Sequence, residues 1–282
     1  MFLRALCVAS TLACLLTSCA GRPATEGGTL VSAFAAAPAA ANPGRADAHD
    51  PVPLTPVAWG RLNNPNGLAG RTIEVASLDD LKLREKEVAL TFDDGPMPKK
   101  TEKILATLDQ YGVKATFLMV GEMAKAHPDI AKLVARNGHT IGSHTYRHPN
   151  LRTLSFQAAI AEIEEGRRAV SAATEQEVGF FRFPYLADNK SLRSWVARDG
   201  MVVLDVQVDS KDYFADSPAA VATRTMNALR AHGRGIILLH DIHHRTAAML
   251  PALLTQLKAE GYKVVSLHRA KPAPFLTASL SH

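Results

Sequence analysis

The chain has 282 residues, 47% of them hydrophobic and 21% charged, with a formal net charge of +5. That length holds one large domain or two small ones, and the apolar fraction suffices for a packed core. Lys and Arg are scattered among acidic residues rather than gathered into a block, which argues against a nucleic-acid partner.

The N-terminus carries one positive charge, Arg4, and then an apolar stretch over 5–16. This stretch is too short to span a bilayer and has the layout of a secretory signal. All three cysteines, Cys7, Cys14 and Cys19, lie here, so no disulfide or thiol chemistry is expected further along. The string Leu16-Thr17-Ser18-Cys19 resembles the lipobox of bacterial lipoproteins. It implies a signal peptide over 1–18, acylation of Cys19, and a membrane reached through that lipid anchor. The alternative is an ordinary signal cleaved after Ala20. The expected location is the cell envelope, and Ala20 after the cysteine favours the outer membrane where the host has one. Residues 19–70 are rich in small residues and Pro, lack a sustained period, and read as a flexible tether. One domain is expected over 71–282, with its core at about 86–268; the stretch 71–83 is either a leading strand or a packing arm.

From residue 86 onward apolar strand-like runs alternate with helical patterns, the mark of a βα-repeating fold. Strands are predicted at 88–92, 115–120, 140–143, 180–183, 201–206, 235–240 and 263–266. Helices are predicted near 99–111, 124–137, 155–173, 188–199, 217–231 and 246–260. The last is the clearest, with Met249, Leu250, Leu253, Leu254 and Leu257 on one face. Glycines follow several of these helices, Gly233 among them, where a left-handed C-cap is expected.

The chemistry-bearing residues fall at one place in this pattern. Asp93/Asp94, His144/His148, Arg182/Tyr185, Asp209/Asp212 and His240 all lie at or just past the C-terminal end of a predicted strand. In a barrel of parallel strands that edge is one mouth, where catalytic groups collect. Two imidazoles and a carboxylate make three protein ligands and leave coordination positions open, and a second carboxylate beside them is free to act as a base. That is a kit for metal-assisted hydrolysis. The histidine pair is not a zincin signature, because position 145 is Thr rather than Glu. Such a set also suits iron in oxygen chemistry, but the second aspartate and the late histidine argue for hydrolysis. Structural roles are assigned to His127 and His139, and an N-cap-like role to Asp241. Asp209 suits a cap of the turn after a strand equally well, Tyr146 suits packing or stacking, and His243 and His244 line the groove or face solvent.

Five strings carry a family resemblance: Thr91-Phe92-Asp93-Asp94-Gly95-Pro96, His144-Thr145-Tyr146-Arg147-His148, Arg182-Phe183-Pro184-Tyr185, Asp209-Ser210-Lys211-Asp212-Tyr213, and Leu238-Leu239-His240. In this order, over about 180 residues, they resemble the polysaccharide deacetylase family, the NodB-homology domain of carbohydrate esterase family four. The resemblance implies an α/β fold, a distorted (β/α) barrel in a single catalytic domain, and metal-dependent removal of acetyl groups from N-acetylated sugars. It assigns the metal to Asp94, His144 and His148, the general base to Asp93, and the holding of that base to Arg182. The oxyanion falls to the backbone N–H of Tyr185, the general acid to His240, and the acetyl-methyl pocket to Leu238. The carboxylate behind His240 is Asp212 first and Asp209 second. Two departures touch the sugar groove: Tyr213 stands where the family has Trp, and Leu186 where it has Gly. The divalent metal expected from N and O ligands is zinc, with cobalt, nickel and iron open. An anchored enzyme lies within reach of peptidoglycan, the favoured polymer. Chitin-like or poly-N-acetylglucosamine polymers, O-acetylated xylan, and a non-enzymatic wall-binding lipoprotein are the alternatives. No protein partner is predicted.

Overall fold

The computed structural model describes residues 67–270. The expected signal, Cys19 and most of the expected tether lie outside the described residues. No described helix is long and apolar enough to cross a membrane.

Strand β1 (Ala69–Val75) opens the described chain, so the leading segment is a strand rather than an arm. The central strand is β2 (Glu87–Asp93), buried along its whole length. It pairs in parallel with β3 (Thr116–Met119) on one side and β8 (Gly235–His240) on the other. Beyond β3 follow β4 (Thr140–Ser143), β5 (Phe180–Phe181) and β6 (Val202–Val203); beyond β8 lies β7 (Val208–Asp209). All these pairings are parallel, and they make a nearly closed barrel that opens between β6 and β7. At its N-terminal end β2 also pairs with β9 (Lys263–Arg269), which carries β1 on its far edge. Arg71 on β1 fastens this edge with two 2.9 Å hydrogen bonds to the Glu87 carboxylate.

Helices α1 (Thr101–Gln110), α2 (Gly121–Ala126), α3 (Pro128–Arg136), α4 (Phe156–Thr174), α5 (Lys190–Arg198), α6 (Pro218–His232) and α7 (His244–Ala259) make the crossovers. Their starts follow local chemistry: Ser155 and Ser217 cap α4 and α6 through their hydroxyls, and Pro218 takes the first turn of α6. Gly233 ends α6 at φ 73, as its position predicts. One predicted helix, 124–137, is in fact two. Pro128 cannot continue α2 and drives His127 out of the helical region, to φ −130 and ψ 58. The predicted strands 180–183 and 201–206 shrink to two residues each, and just past their ends Arg182 Nε donates to the Leu204 carbonyl. Strand β7 is too short and polar to show in the sequence pattern.

Side-chain alternation along the strands sets up two cores. Val88, Leu90 and Phe92 point outward with Phe117, Phe181, Ile237 and Leu239 and pack against the helices. Ala89, Leu118, Phe180, Val202, Leu204 and Ile236 face the barrel interior. Continuing the inward row of β2 gives Thr91 and then Asp93; continuing that of β8 gives Leu238 and His240. The interior is therefore apolar toward the N-terminal ends of the strands and ionisable at their C-terminal ends. The 144–148 loop is held against α4 at Gly166, where a Cβ would overlap the backbone of Thr145. Gly166→Ala is accordingly expected to lose about 1–3 kcal/mol of stability by overpacking. Glu164→Ala, on the exposed side of the same helix, should stay within about 0.5 kcal/mol. Urea unfolding of both variants checks this, and equal stabilities would contradict it.

Candidate active site

The strand ends surround a cleft of about 530 Å³ lined by Asp93, Asp94, His144, His148, Arg182, Phe183, Tyr185, Leu186, Asp209, Tyr213, Leu238, His240 and His243. Every residue predicted for the site lines it except Asp212, which lies buried behind His240.

Asp94 follows the last residue of β2 in a left-handed conformation, φ 78, and its turn is tied to β3 by N–H donation to the Leu118 carbonyl. Its Oδ1 is 3.3 Å from His148 Nε2 and 3.6 Å from His144 Nε2, and the three candidate donor atoms lie within 4.8 Å of one another. His144 Nδ1 is 2.8 Å from the Arg182 carbonyl, which can only accept. Nδ1 therefore carries the proton, and the Nε2 lone pair faces Asp94. Burial drives the His144 pKa down to about 3, so the ring is neutral and ready to ligate. Thr145 and His148 also adopt left-handed backbone, at φ 68 and φ 61, and the Thr145 hydroxyl accepts the His148 N–H at 3.0 Å. Asp94 Oδ1 is buried and has no hydrogen-bond partner among the described residues. A buried carboxylate oxygen left without a donor is costly, and a cation between it and the two imidazoles removes the cost. The three side chains fit a divalent metal.

Asp93 stands beside this set but is engaged elsewhere. Its Oδ1 accepts a 2.7 Å hydrogen bond from Arg182 Nη1, which also donates to Thr91 Oγ1 at 2.8 Å. Arg182 Nε donates to the Leu204 carbonyl at 3.0 Å. Burial pushes the Asp93 pKa up against the pull of Arg182, which makes the carboxylate a stronger base than an exposed one.

Across the cleft His240 Nδ1 is 2.6 Å from Asp212 Oδ1. The other Asp212 oxygen accepts from the His240 N–H at 2.8 Å and from Thr246 Oγ1 at 2.5 Å. Burial raises the Asp212 pKa, but its hydrogen bonds, that of His240 foremost, outweigh this and hold it below the usual value. For His240 burial works against the charged form; the Asp212 hydrogen bond and charge, with Asp93 and Asp94 beyond, prevail and raise its pKa to about 9.

The carboxylate behind His240 is thus Asp212 and not Asp209. Asp209 spends its oxygens on the Lys211 N–H and the Tyr213 hydroxyl, both at 2.9 Å, and so caps its turn and fixes an aromatic wall of the cleft. Tyr213 is 43% exposed and stands edge-on to His240; Tyr185, lining the same cleft, is 67% exposed and edge-on to His148. Tyr185 and Leu186 both have positive φ, 59 and 52. Tyr146 is buried and packs. Buried His139 accepts the Ala115 N–H at 3.2 Å, a structural role, and the exposed His244 begins α7. Asp241 is not a helix cap: it is fully buried and bonded to Thr101, and burial lifts its pKa to about 7. The sequence reading missed Thr91, Thr101 and Thr246, which hold the charged groups in place. Thr91 alone had a signal, since it lies two residues before Asp93 on the same strand face.

The chain is similar to proteins of known activity. The polysaccharide deacetylase family profile matches residues 80–204; Asp212 and His240 lie beyond that match. A peptidoglycan-N-acetylglucosamine deacetylase of Listeria monocytogenes, PgdA, is 36% identical over 182 residues, which cover 64% of this chain and 38% of the relative. The chain thus spans well under half the length of that relative. A chitin deacetylase of Colletotrichum lindemuthianum is 35% identical over 196 residues, covering 64% of this chain and 77% of the relative. Among solved structures, the Bdellovibrio bacteriovorus peptidoglycan deacetylase Bd3279 superposes with a TM-score of 0.64 at 34% identity, over 74% of this chain and 57% of that one.

The Asp212–His240 pair makes a pH-dependent contribution. In the metal-free protein His240 is expected to titrate near 9, and in Asp212→Asn well below that, because only the charges of Asp93 and Asp94 then oppose burial. A pKa raised by folding stabilises fully below the unfolded value, and the contribution is lost as pH rises through the folded one. The stability gap between the protein and Asp212→Asn should therefore narrow between pH 6.5 and about 9. An NMR titration of the ring with urea unfolding across that window checks both; an unshifted His240 contradicts the assignment.

Proposed function

The chain belongs to the polysaccharide deacetylase family, and from that premise we propose that it is a metal-dependent N-deacetylase acting on N-acetylglucosamine units of peptidoglycan and releasing acetate. The observation that carries this reading is the division of labour in the cleft. Two imidazoles and a carboxylate converge on one point, a second carboxylate is held off by Arg182, and a carboxylate-backed histidine stands opposite. A divalent cation held by Asp94, His144 and His148, zinc by the preference of such ligands, supplies Lewis acidity for the acetyl carbonyl and lowers the pKa of the attacking water.

The remaining steps belong to the side chains. An amide carbonyl is a poor electrophile, so water must be deprotonated as it adds; Asp93 takes that proton, and Arg182 fixes which oxygen faces the water. The backbone N–H of Tyr185 meets the developing oxyanion. As the C–N bond breaks, the sugar nitrogen leaves with a proton from His240, whose charged form Asp212 favours. Leu238 lines the place of the acetyl methyl, and Tyr213 offers a ring face to the sugar.

Peptidoglycan is preferred because an N-terminal lipid on Cys19, followed by a tether, sets the enzyme beside the wall. The location proposed is the bacterial cell envelope, at the outer membrane where there is one. The similarity to a chitin deacetylase keeps chitin-like polymers as the second reading.

Acetate release from peptidoglycan, chitooligosaccharides and acetylxylan, with zinc and with chelator, tests the proposal. Release from peptidoglycan should require the metal and fall about a hundred- to ten-thousandfold in Asp93→Asn. Release from chitooligosaccharides alone would transfer the reading to chitin-like polymers. No release from any substrate by zinc-loaded protein would favour a non-enzymatic wall-binding role.

A further inference from the structure

A second buried carboxyl stands near the site and has no part in these steps. Asp241 follows His240, is 1% exposed, and is not among the residues lining the cleft. Its Oδ2 accepts a 2.6 Å hydrogen bond from Thr101 Oγ1, and that hydroxyl accepts in turn from the Met97 N–H at 2.8 Å. The Asp241 N–H donates to the Asp93 carbonyl at 3.3 Å. Gly95 lies so close that a Cβ there would overlap the Asp241 carboxylate. One side chain thus joins the end of β8, the turn over 94–97 and the first residue of α1.

That turn carries Asp94. A non-glycine residue at φ 78 is strained and persists where its surroundings over-determine it. On the β3 side the turn is fixed by two backbone hydrogen bonds, Asp94 N–H to Leu118 and Val120 N–H to Gly95. Toward β8 and α1 the side-chain clamp is Asp241 with Thr101. Gly95 fits this clamp because it has no Cβ to keep the carboxylate away.

We propose that Asp241 is a positioning residue for the cation site, locking the 94–97 turn so that the Asp94 carboxylate stays opposite the two imidazoles. The inference rests on the reading of Asp94, His144 and His148 as the cation's ligands. Asp241 touches none of the three side chains' donor atoms and acts through the turn. What the clamp requires is an acceptor oxygen of the right length, so Asn can replace Asp241 and Ala cannot.

Zinc affinity of the full chain near neutral pH, by competition with a chromogenic chelator, tests this, with circular dichroism and metal-free unfolding in parallel. Asp241→Ala is expected to bind zinc about 10- to 100-fold more weakly, the usual effect of losing support behind a ligand. Asp241→Asn should retain the affinity, and Thr101→Val should fall between the two. Unaltered affinity in Asp241→Ala overturns the proposal, and so does a loss in Asp241→Asn as large as in Asp241→Ala. If Asp241→Ala does not fold, Thr101→Val decides: it keeps the shape, and undiminished affinity in it overturns the clamp. Affinity is read without substrate, so zinc binding by a protein that releases no acetate removes the proposed activity and leaves this inference intact. Failure of the unaltered protein to bind zinc overturns the cation site and the inference together.

Discussion

Arg182 reaches the barrel interior at 1% exposure and joins three strand ends through one side chain and its own backbone. Its guanidinium donates to Asp93 and Thr91 at the end of β2 and to the Leu204 carbonyl past β6. Its carbonyl accepts from His144, and its N–H donates to the Ser143 carbonyl of β4. A charge taken out of water is costly unless it is paired and hydrogen-bonded, and a lost partner in such a pair typically costs about 3–5 kcal/mol. The geometry of the proposed base and that of one proposed ligand are thereby coupled. The side chain of Arg182 decides where Asp93 points, and its main chain decides which nitrogen of His144 is free.

The rest of the barrel makes this arrangement affordable. Strand alternation sends Ala89, Thr91 and Asp93 to the interior in that order, so the same row runs from apolar floor to charged mouth. Phe180, Leu118 and Ile236 fill the floor and keep water from reaching the pair from below. Crossing helices approach closely where glycine permits, and Gly166 lets α4 press against the loop that bears both imidazoles. Left-handed backbone at Asp94, Thr145, His148 and Tyr185 is concentrated at the same rim. Local strain of this kind is held by packing below and hydrogen bonds above.

Much of this was legible in the sequence because the signals were short-range. An apolar run ending in paired aspartates, or a histidine pair four residues apart after a strand, places chemistry at a strand end whatever the rest does. The βα-repeating fold followed from the alternation of runs and helices, and its closure into a distorted barrel from the family resemblance. The illegible parts were those decided across the fold. Asp209 and Asp212 are three residues apart in the same turn, and their roles separate once β7 and β8 are paired and Thr246 of α7 comes down onto Asp212. Asp241 read as an N-cap-like group because nothing local shows that Thr101, 140 residues away, donates to it. The break at Pro128 was visible but masked by the apolar pattern running through it.

The central claim is that Asp94, His144 and His148 hold one cation while Asp93 remains with Arg182. Anomalous diffraction from crystals grown with zinc tests it most directly. The account requires one strong peak about 2.0–2.2 Å from an Asp94 oxygen and from both Nε2 atoms, with Asp93 still bonded to Arg182 and outside the coordination shell. A peak elsewhere, or Asp93 turned from Arg182 to become a ligand, would contradict it.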